Sequence, residues 1–189
     1  GQRNDDSGNQ FSGHFVDGQL EGNGTFNSAD GDMYIGHFKQ NQLNGKGRYE
    51  NADGDVWIGE FKEGALSGKG ELIGVDGSHY VGQFVDWRFT GQGRLNLTDG
   101  SFYIGGFDSD SYQGRGTLVL TDGTVQAGTW VNGMRVRDAD GKLLPDPLEI
   151  GLFAQGRLLD EALAAVPASK SGVELYTLVV AGDGKQSVF

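Results

Sequence analysis

The stretch that decides the fold is YIGHFKQNQLNGKG at residues 34–47. A related stretch, WIGEFKEGALSGKG, starts 23 residues later at Trp57, and YVGQFVDWRFTGQG starts a further 23 residues on at Tyr80. Each stretch keeps an aromatic residue, a glycine, a second aromatic residue and a Gly-x-Gly pair at the same places. A fixed period of this length predicts a repeat architecture whose recurring residues form the framework.

Five complete units follow one another without insertion, and a partial sixth starts at Gln126 before the pattern fades. We number them repeats 1 to 5, which cover residues 11–33, 34–56, 57–79, 80–102 and 103–125, and we number the positions within each unit from 1 to 23. Aromatic residues stand at positions 1 and 5, glycines at positions 3, 12 and 14, and an Asp-Gly pair at positions 20 and 21.

Each unit predicts two short β-strands. Positions 1, 3 and 5 alternate with variable residues, as do positions 10, 12, 14 and 16, and alternate side chains of a strand share one face. The residues between the two runs, such as VDGQ at 16–19, predict a turn. The Asp-Gly pair predicts a second turn, because glycine adopts the positive φ that tight hairpins require. The sequence therefore predicts a mostly β fold, an elongated twisted antiparallel sheet of repeated hairpins.

The glycines on the inner face predict close packing. Glycine inside a strand usually marks a place where another group approaches the backbone. We expect the rings at positions 1 and 5 to lie flat over glycines of a neighbouring strand and to form a stripe along the concave side. The recurring aromatic residues and glycines are then framework, because a catalytic residue seldom recurs five times in register.

Binding is expected at the aromatic face, above all where the units differ. Trp87 replaces the glycine, asparagine or aspartate of most equivalent turns, either as a binding anchor or as a residue packed on a neighbouring turn or on the C-terminal segment. Aromatic residues also replace leucine at position 10 of repeats 4 and 5. The candidate binding residues are Tyr34, Trp57, Tyr80, Trp87, Phe89, Tyr103 and Tyr112.

Composition disfavours several classes of function. The formal net charge of −11 disfavours binding to nucleic acid or to an anionic membrane. The chain has no cysteine, which excludes disulfides, thiolate metal sites and a cysteine nucleophile within it. Lys46, Lys69 and Arg115 recur at position 13 and could form a basic ladder opposite the aromatic face, although an ordinary solvated face is the simpler interpretation.

No metal ion or other cofactor is expected. His14, His37 and His79 are interpreted as solvated strand residues rather than ligands. The Asp of each Asp-Gly pair is interpreted as a turn former, because calcium-binding repeats carry acids more densely. The stretch GDGKQS at 182–187 lacks the spacing of a phosphate-binding loop.

The pattern Tyr-x-Gly-x-Phe, followed by Gly-x-Gly and Asp-Gly, resembles the MORN repeat (membrane occupation and recognition nexus) over roughly residues 11–136. Tyr34 through Gly54 match it in full, whereas Phe11, Trp57 and Gln126 stand where the family has tyrosine, and Gln126 suggests a capping half-repeat. The resemblance implies an elongated twisted sheet used for protein binding, self-association or attachment to a membrane surface. The excess of acids disfavours attachment to anionic lipids, which usually needs a basic cluster.

The C-terminal quarter of the chain predicts a different structure. LEIGLFAQGRLLDEALAAV at 148–166 predicts a helix, with Asp146 as its cap and Pro147 in its first turn. VELYTLVV at 173–180 predicts a strand that is apolar on both faces, which is typical of a covered α/β sheet. The predicted organisation is a flexible lead at 1–10, repeats at 11–136, a linker at 137–147 and an incomplete α/β fragment at 148–189.

The stretch ELYTLVVAGDGKQSVF at 174–189 resembles the first core strand and loop of bacterial legumain-like, caspase-fold cysteine peptidases. The catalytic His and Cys of that family lie farther along, and no residue here matches them, so this chain itself is expected not to be an enzyme.

Two functions stay open. One is a non-catalytic scaffold that binds a protein or peptide, or a second copy through a sheet edge or the C-terminal strand. The other is an N-terminal accessory region of such a peptidase. The sequence does not set the compartment, for which a bacterial cell envelope or periplasm is our expectation.

Overall fold

The computed structural model describes residues 1–145 and two short strands farther along, Val179–Val180 and Gln186–Ser187. The chain divides into two compact units, Gly1–Leu143 and Leu144–Phe189. In the first unit, thirteen strands form one open, twisted antiparallel sheet. The predicted mostly β fold of repeated hairpins is confirmed. The predicted helix at 148–166 and most of the predicted strand at 173–180 lie outside the described residues.

Strand order in the sheet follows chain order from one edge to the other, so every strand pairs only with its neighbours in sequence. The strands are β1 Gln2–Asn4, β2 Gln10–Val16, β3 Gln19–Asn27, β4 Met33–Lys39, β5 Gln42–Glu50, β6 Val56–Lys62, β7 Ala65–Ile73, β8 His79–Val85, β9 Arg88–Asn96, β10 Phe102–Asp108, β11 Ser111–Val119, β12 Val125–Val131 and β13 Met134–Arg137. The strands β14 Val179–Val180 and β15 Gln186–Ser187 pair with each other. Among the described residues, no helix has the length and apolar character needed to cross a bilayer.

Two kinds of turn alternate along the sheet. The turn inside each repeat has two residues with positive φ, as at Gln40 (51°) and Asn41 (65°), which is the geometry of the hairpin turns that match strand twist. The Asp-Gly turns follow the second strand of each repeat. In the first of them, Gly31 has a φ of 100° and donates its N–H to the carbonyl of Ser28, 3.2 Å away. The glycine in each Asp-Gly pair adopts positive φ, as the sequence predicts.

The first ten residues form the second half of a further unit. The strand β1 pairs with β2 so that Arg3 lies opposite Phe11, and a turn closed by a hydrogen bond from Gly8 N–H to the Asp5 carbonyl (3.1 Å) joins the two strands. The sequence did not predict this strand, because an arginine stands where an aromatic residue or leucine would mark position 16. The interpretation of residues 1–10 as a flexible lead needs correction, since Gln2–Asn4 extend the sheet.

Consecutive repeats are also joined through their turns. The N–H at position 8 of one repeat donates to the carbonyl at position 10 of the repeat before it, as from Asn41 to Leu20 (3.2 Å) and from Trp87 to Leu66 (3.0 Å). The same bond runs from Gly64 to Leu43, from Asp110 to Phe89 and from Gly133 to Tyr112. Each repeat is therefore bonded to the next through these turns as well as along its strands.

The core lies on one face of the sheet. Its buried members are Leu20, Phe38, Leu43, Phe61, Leu66, Tyr80, Phe84, Tyr103, Phe107 and Trp130. The opposite face exposes apolar side chains such as Ile35, Val81 and Ile104, each more than two-fifths accessible. The side chains of the inner face are thus positioned by a single sheet rather than by a two-layer core.

Candidate binding site

Five aromatic rings form a continuous stack across the N-terminal half of the inner face. The members of this five-ring row are Phe11, Phe26, Tyr34, Tyr49 and Trp57, and each lies directly opposite the next on adjacent strands β2 to β6. Neighbouring ring centroids lie 4.5 to 5.3 Å apart, and their planes differ by 24° to 29°. All five side chains are only half-buried, so the row is a contiguous aromatic surface that solvent reaches.

The row stays open because leucine fills the space beneath it. In repeats 1 to 3, position 10 is leucine, and its branched end lies over the glycines at positions 3 and 14. A Cβ at Gly36 would lie 3.2 Å from a Cδ of Leu43, and a Cβ at Gly47 would lie 3.1 Å from it. Tyr34 therefore finds no room over the glycines and stacks on its neighbours instead. For these repeats, the prediction that the position 1 rings cover the glycines is wrong.

Repeats 4 and 5 pack in the opposite way. Position 10 is Phe89 or Tyr112, and the tyrosine at position 1 covers the glycines. Tyr80 stacks on Phe89 with centroids 3.7 Å apart, and Tyr103 stacks on Tyr112 at 3.8 Å, with planes within 8° in both pairs. The Tyr80 hydroxyl donates to the Gln83 carbonyl (3.0 Å). The predicted cover of glycine by an aromatic ring is confirmed in these two repeats.

Trp87 ends the row on one side. It lies in the two-residue turn of repeat 4 with a φ of 72°, a conformation that costs a bulky residue about 1–2 kcal/mol. Its ring lies edge-to-face with Tyr49, Trp57 and Phe61, at centroid distances of 5.3, 6.0 and 5.7 Å. These contacts offset the backbone strain. The structure thus packs Trp87 on an earlier repeat while leaving its side chain half-buried.

Arg3 ends the row on the other side. Its guanidinium carbon lies 5.0 Å from the centroid of the Phe11 ring and 5.7 Å from that of Phe15. One of its nitrogens donates to the Gly18 carbonyl. A cation over an aromatic face is attracted by the ring quadrupole. The row therefore runs between an arginine and a tryptophan.

The seven candidate residues fall into two groups. Tyr34, Trp57 and Trp87 belong to the open surface, whereas Tyr80 and Tyr103 have no exposed area and cover Phe89 and Tyr112. Sequence reasoning did not assign Phe11, Phe26 or Tyr49 to the site. The sequence signal for Phe26 and Tyr49 lies at position 16, which is aromatic in repeats 1 and 2 and leucine in repeats 3 to 5. Binding by these residues stays a prediction.

The tyrosines of the inner face have raised pKa values. Burial raises the pKa of the Tyr34 hydroxyl, and the nearby Tyr49 and the carboxylate of Asp32 raise it further. Burial also raises the pKa of Tyr49, again with a contribution from Asp32. Burial raises the pKa of Tyr80 and of Tyr103 to about 12. The negative charge of Asp32 therefore reaches the rings of the row.

The fold should lose stability in alkaline solution. A buried tyrosine whose folded pKa is about 12 releases its proton later than the unfolded chain does, for which the value is 10.0. The free energy of unfolding should hold below pH 10 and fall as pH rises towards 12, because the unfolded state then binds fewer protons. Urea titrations at several pH values test this. The variant Y80F/Y103F should show a shallower fall, and an unchanged slope would contradict burial as its cause.

The histidines do not gather into a metal site. His79 lies 3.0 Å from the Glu71 carboxylate, and His37 lies 3.0 Å from the Asn44 carbonyl. Within the described part of the chain, no three His, Asp or Glu side chains converge as metal ligands would.

The family comparison matches the repeats directly. The profile described as "MORN repeat" matches residues 11–33, 34–56, 57–79 and 103–125. The chain carries MORN repeats. The matched segments leave out repeat 4, which nevertheless folds as the hairpin β8–β9, with Gly82 opposite Gly93. Its turn holds Trp87, and its position 10 holds Phe89.

Other comparisons add little. A solved structure similar to this chain is the SAS-4 (dCPAP) TCP domain in complex with a proline-rich motif of Ana2 (dSTIL) from Drosophila melanogaster. The two are 16% identical, with 68% of this chain and 71% of that chain covered, and the TM-score is 0.44. No curated protein matches the chain. No comparison supports the resemblance of residues 174–189 to cysteine peptidases.

Proposed function

We propose that the MORN repeats form a non-catalytic scaffold whose five-ring row binds a peptide segment of a partner protein. The observation that carries this proposal is the contiguity of the row. Five half-buried rings lie side by side, whereas the rings at position 1 of repeats 4 and 5 are buried. Contiguous apolar surface that stays accessible in a folded protein marks interaction sites.

The framework does not require all of these rings. Repeats 3, 4 and 5 form the same hairpin with Leu72, Leu95 and Leu118 at position 16. Phe26 and Tyr49 stand at that position in repeats 1 and 2, where they complete the stack. Since leucine suffices for folding at position 16, the two aromatic rings there are better explained by what they present to solvent.

The dimensions of the row suit a short extended peptide. The spacing of the ring centroids makes the row about 20 Å long, which agrees with five neighbouring strands about 4.8 Å apart. An extended chain covers about 3.3 Å per residue, so about six residues would span it. Such a peptide would run across the strands, with apolar side chains against the ring edges and Trp87 at one end.

A peptide selection tests the proposal. A display library of random 12-residue peptides is selected on the chain, and the affinities of enriched peptides are measured by calorimetry. Binding should weaken about tenfold or more in the variant Y34A/Y49A, because it removes two of the five rings and interrupts the row. The matched control is I35A/V81A, which truncates two exposed side chains on the opposite face.

Two results would contradict the proposed site. Enriched peptides could bind Y34A/Y49A as tightly as the unaltered chain, or they could lose affinity only in I35A/V81A. Circular dichroism and urea unfolding of each variant separate a lost contact from a lost fold.

A further inference from the structure

We propose that the segment bound along the five-ring row is basic, with lysine or arginine side chains directed at the strand ends that the Asp-Gly turns connect. This inference rests on the proposed function of the row and names the chemistry of its partner. It follows from where the chain places its charges around the rings.

The turns beside the row are strongly acidic. The first three of these turns, residues 5–10, 28–33 and 51–56, contain no lysine or arginine. They carry six carboxylates, which are Asp5, Asp6, Asp30, Asp32, Asp53 and Asp55. None of the six is within salt-bridge distance of a cation of the described chain. Because like charges repel one another among such turns, a cationic partner would relieve the repulsion.

Asp32 and Asp55 bring this charge next to the row. Each directly precedes a strand of the row, β4 or β6, and accepts a hydrogen bond from the N–H of the following turn, Ala52 at 3.1 Å or Val75 at 2.9 Å. These bonds fix each carboxylate at the strand ends. Burial is the main cause of the raised pKa values of Tyr34 and Tyr49, and the Asp32 carboxylate raises both further.

The cations of the same repeats lie elsewhere. Lys46 and Arg48 flank the inward Gly47 of β5, so both belong to the opposite face, where Arg48 pairs with Glu50 at 2.6 Å. Lys39 and Lys62 follow the inward Phe38 and Phe61 and are exposed on that opposite face as well. In repeats 1 to 3 these bases therefore lie behind the rings, whereas Asp32 and Asp55 lie beside them.

Arg3 shows how a guanidinium fits this surface. It lies over Phe11 at the end of the row, and it donates to the Gly18 carbonyl. It reaches the rings from a strand that belongs to the sheet itself. Farther along the row the stacked rings present their edges, which carry the positive part of the ring quadrupole. A partner cation there would pair with the turn carboxylates rather than with the rings, and charge complementarity gives specificity more than affinity.

Three matched peptides test the inference by calorimetry at 50 mM salt. Each has nine residues in which leucine alternates with arginine, glutamine or glutamate. The arginine peptide should bind about tenfold more tightly than the glutamine peptide, as expected for two or three exposed charge pairs, and the glutamate peptide should bind more weakly than both. Near 1 M salt the arginine preference should shrink to about twofold, because screening then acts within about 3 Å.

The decisive variant is D32N/D55N. Asparagine keeps the acceptor oxygen, as Asn9 shows by accepting the N–H of Ala29 (2.8 Å) at the equivalent place in the first turn. The arginine preference should fall about fivefold in this variant. The matched control E63Q/D108N removes the same charge from two exposed residues at the opposite ends of the strands, Glu63 in a turn and Asp108 at the end of β10, and it should leave the preference nearly unchanged.

The outcomes separate the two proposals. Equal binding of the arginine and glutamine peptides, lost in Y34A/Y49A, would overturn the charge preference and leave binding at the row intact. An arginine preference that persists in D32N/D55N would also overturn the inference, since it would come from net charge alone. Failure of all three peptides to bind, together with no row-dependent peptide from the library, would overturn both.

Discussion

Replacing Tyr80 with alanine should lower the free energy of unfolding by about 4 kcal/mol, in the middle of the range for aromatic core truncations. The ring is fully buried, stacks on Phe89 at 3.7 Å and covers the glycines at 82 and 93. A Cβ at Gly93 would lie only 2.6 Å from the Tyr80 ring, so the ring packs directly on the glycines, which have no side chains to fill the space that truncation leaves. Urea unfolding followed by circular dichroism measures the loss.

Tyr34 is the matched comparison for Tyr80, because it holds position 1 in repeat 2. Its ring is half-buried and stacks on Phe26 and Tyr49, so Y34A should lower the free energy of unfolding by only about 2 kcal/mol. Y80F should lose about 1 kcal/mol, since it keeps the ring and removes only the hydroxyl, which donates to the carbonyls of Gln83 (3.0 Å) and Thr90 (3.4 Å). Equal losses in Y80A and Y34A would contradict the distinction between the buried and the open rings.

Replacing Gly36 with alanine should also be severe, with a loss of about 3 kcal/mol or more. The added Cβ would lie 2.6 Å from both the Lys46 carbonyl oxygen and the Gly47 Cα, which are backbone atoms of the paired strand. Those atoms cannot move without separating β4 from β5. The residue also has a φ of 152°, which an L side chain rarely adopts.

Gly77 provides the control for Gly36. Its φ is 89°, and a Cβ there would meet no heavy atom within 4 Å. Alanine at this position therefore measures only the cost of a positive φ for a residue with a side chain. G77A should lower the free energy of unfolding by about 1 kcal/mol. Thermal unfolding of both variants gives the comparison, and a G36A protein as stable as G77A would show that the strands separate more easily than their spacing suggests.

The strands and turns could be predicted from the sequence because each depends on residues close together in the chain. Alternation places Tyr34, Gly36 and Phe38 on one face whatever surrounds them, and glycine at positive φ closes the Asp-Gly turns. β1 was the exception. Arg3 occupies the place of a ring in the register, and a single half-unit gives no period to detect.

The sequence did not predict which of the rings would be exposed to solvent. Tyr34 and Tyr80 share position 1, yet one faces solvent and the other is buried. The difference depends on position 10, where Leu43 is small enough to fill the space over the glycines and Phe89 is too large. That competition occurs between adjacent strands, so a pattern read along one strand does not reveal it. The contact between the Trp87 and Tyr49 rings likewise joins different repeats, so no pattern within one repeat predicts it.

Because each strand pairs only with its neighbours in sequence, the number of units can change without rewiring the sheet. Loss of residues 34–56 would bring Phe26 opposite Trp57, since both stand where the register already expects an aromatic partner. The stack would shorten from five rings to three, and duplication of the same segment would lengthen it to seven. The length of this aromatic surface can therefore change by duplication or deletion of whole repeats, while the remaining hairpins keep their pairing.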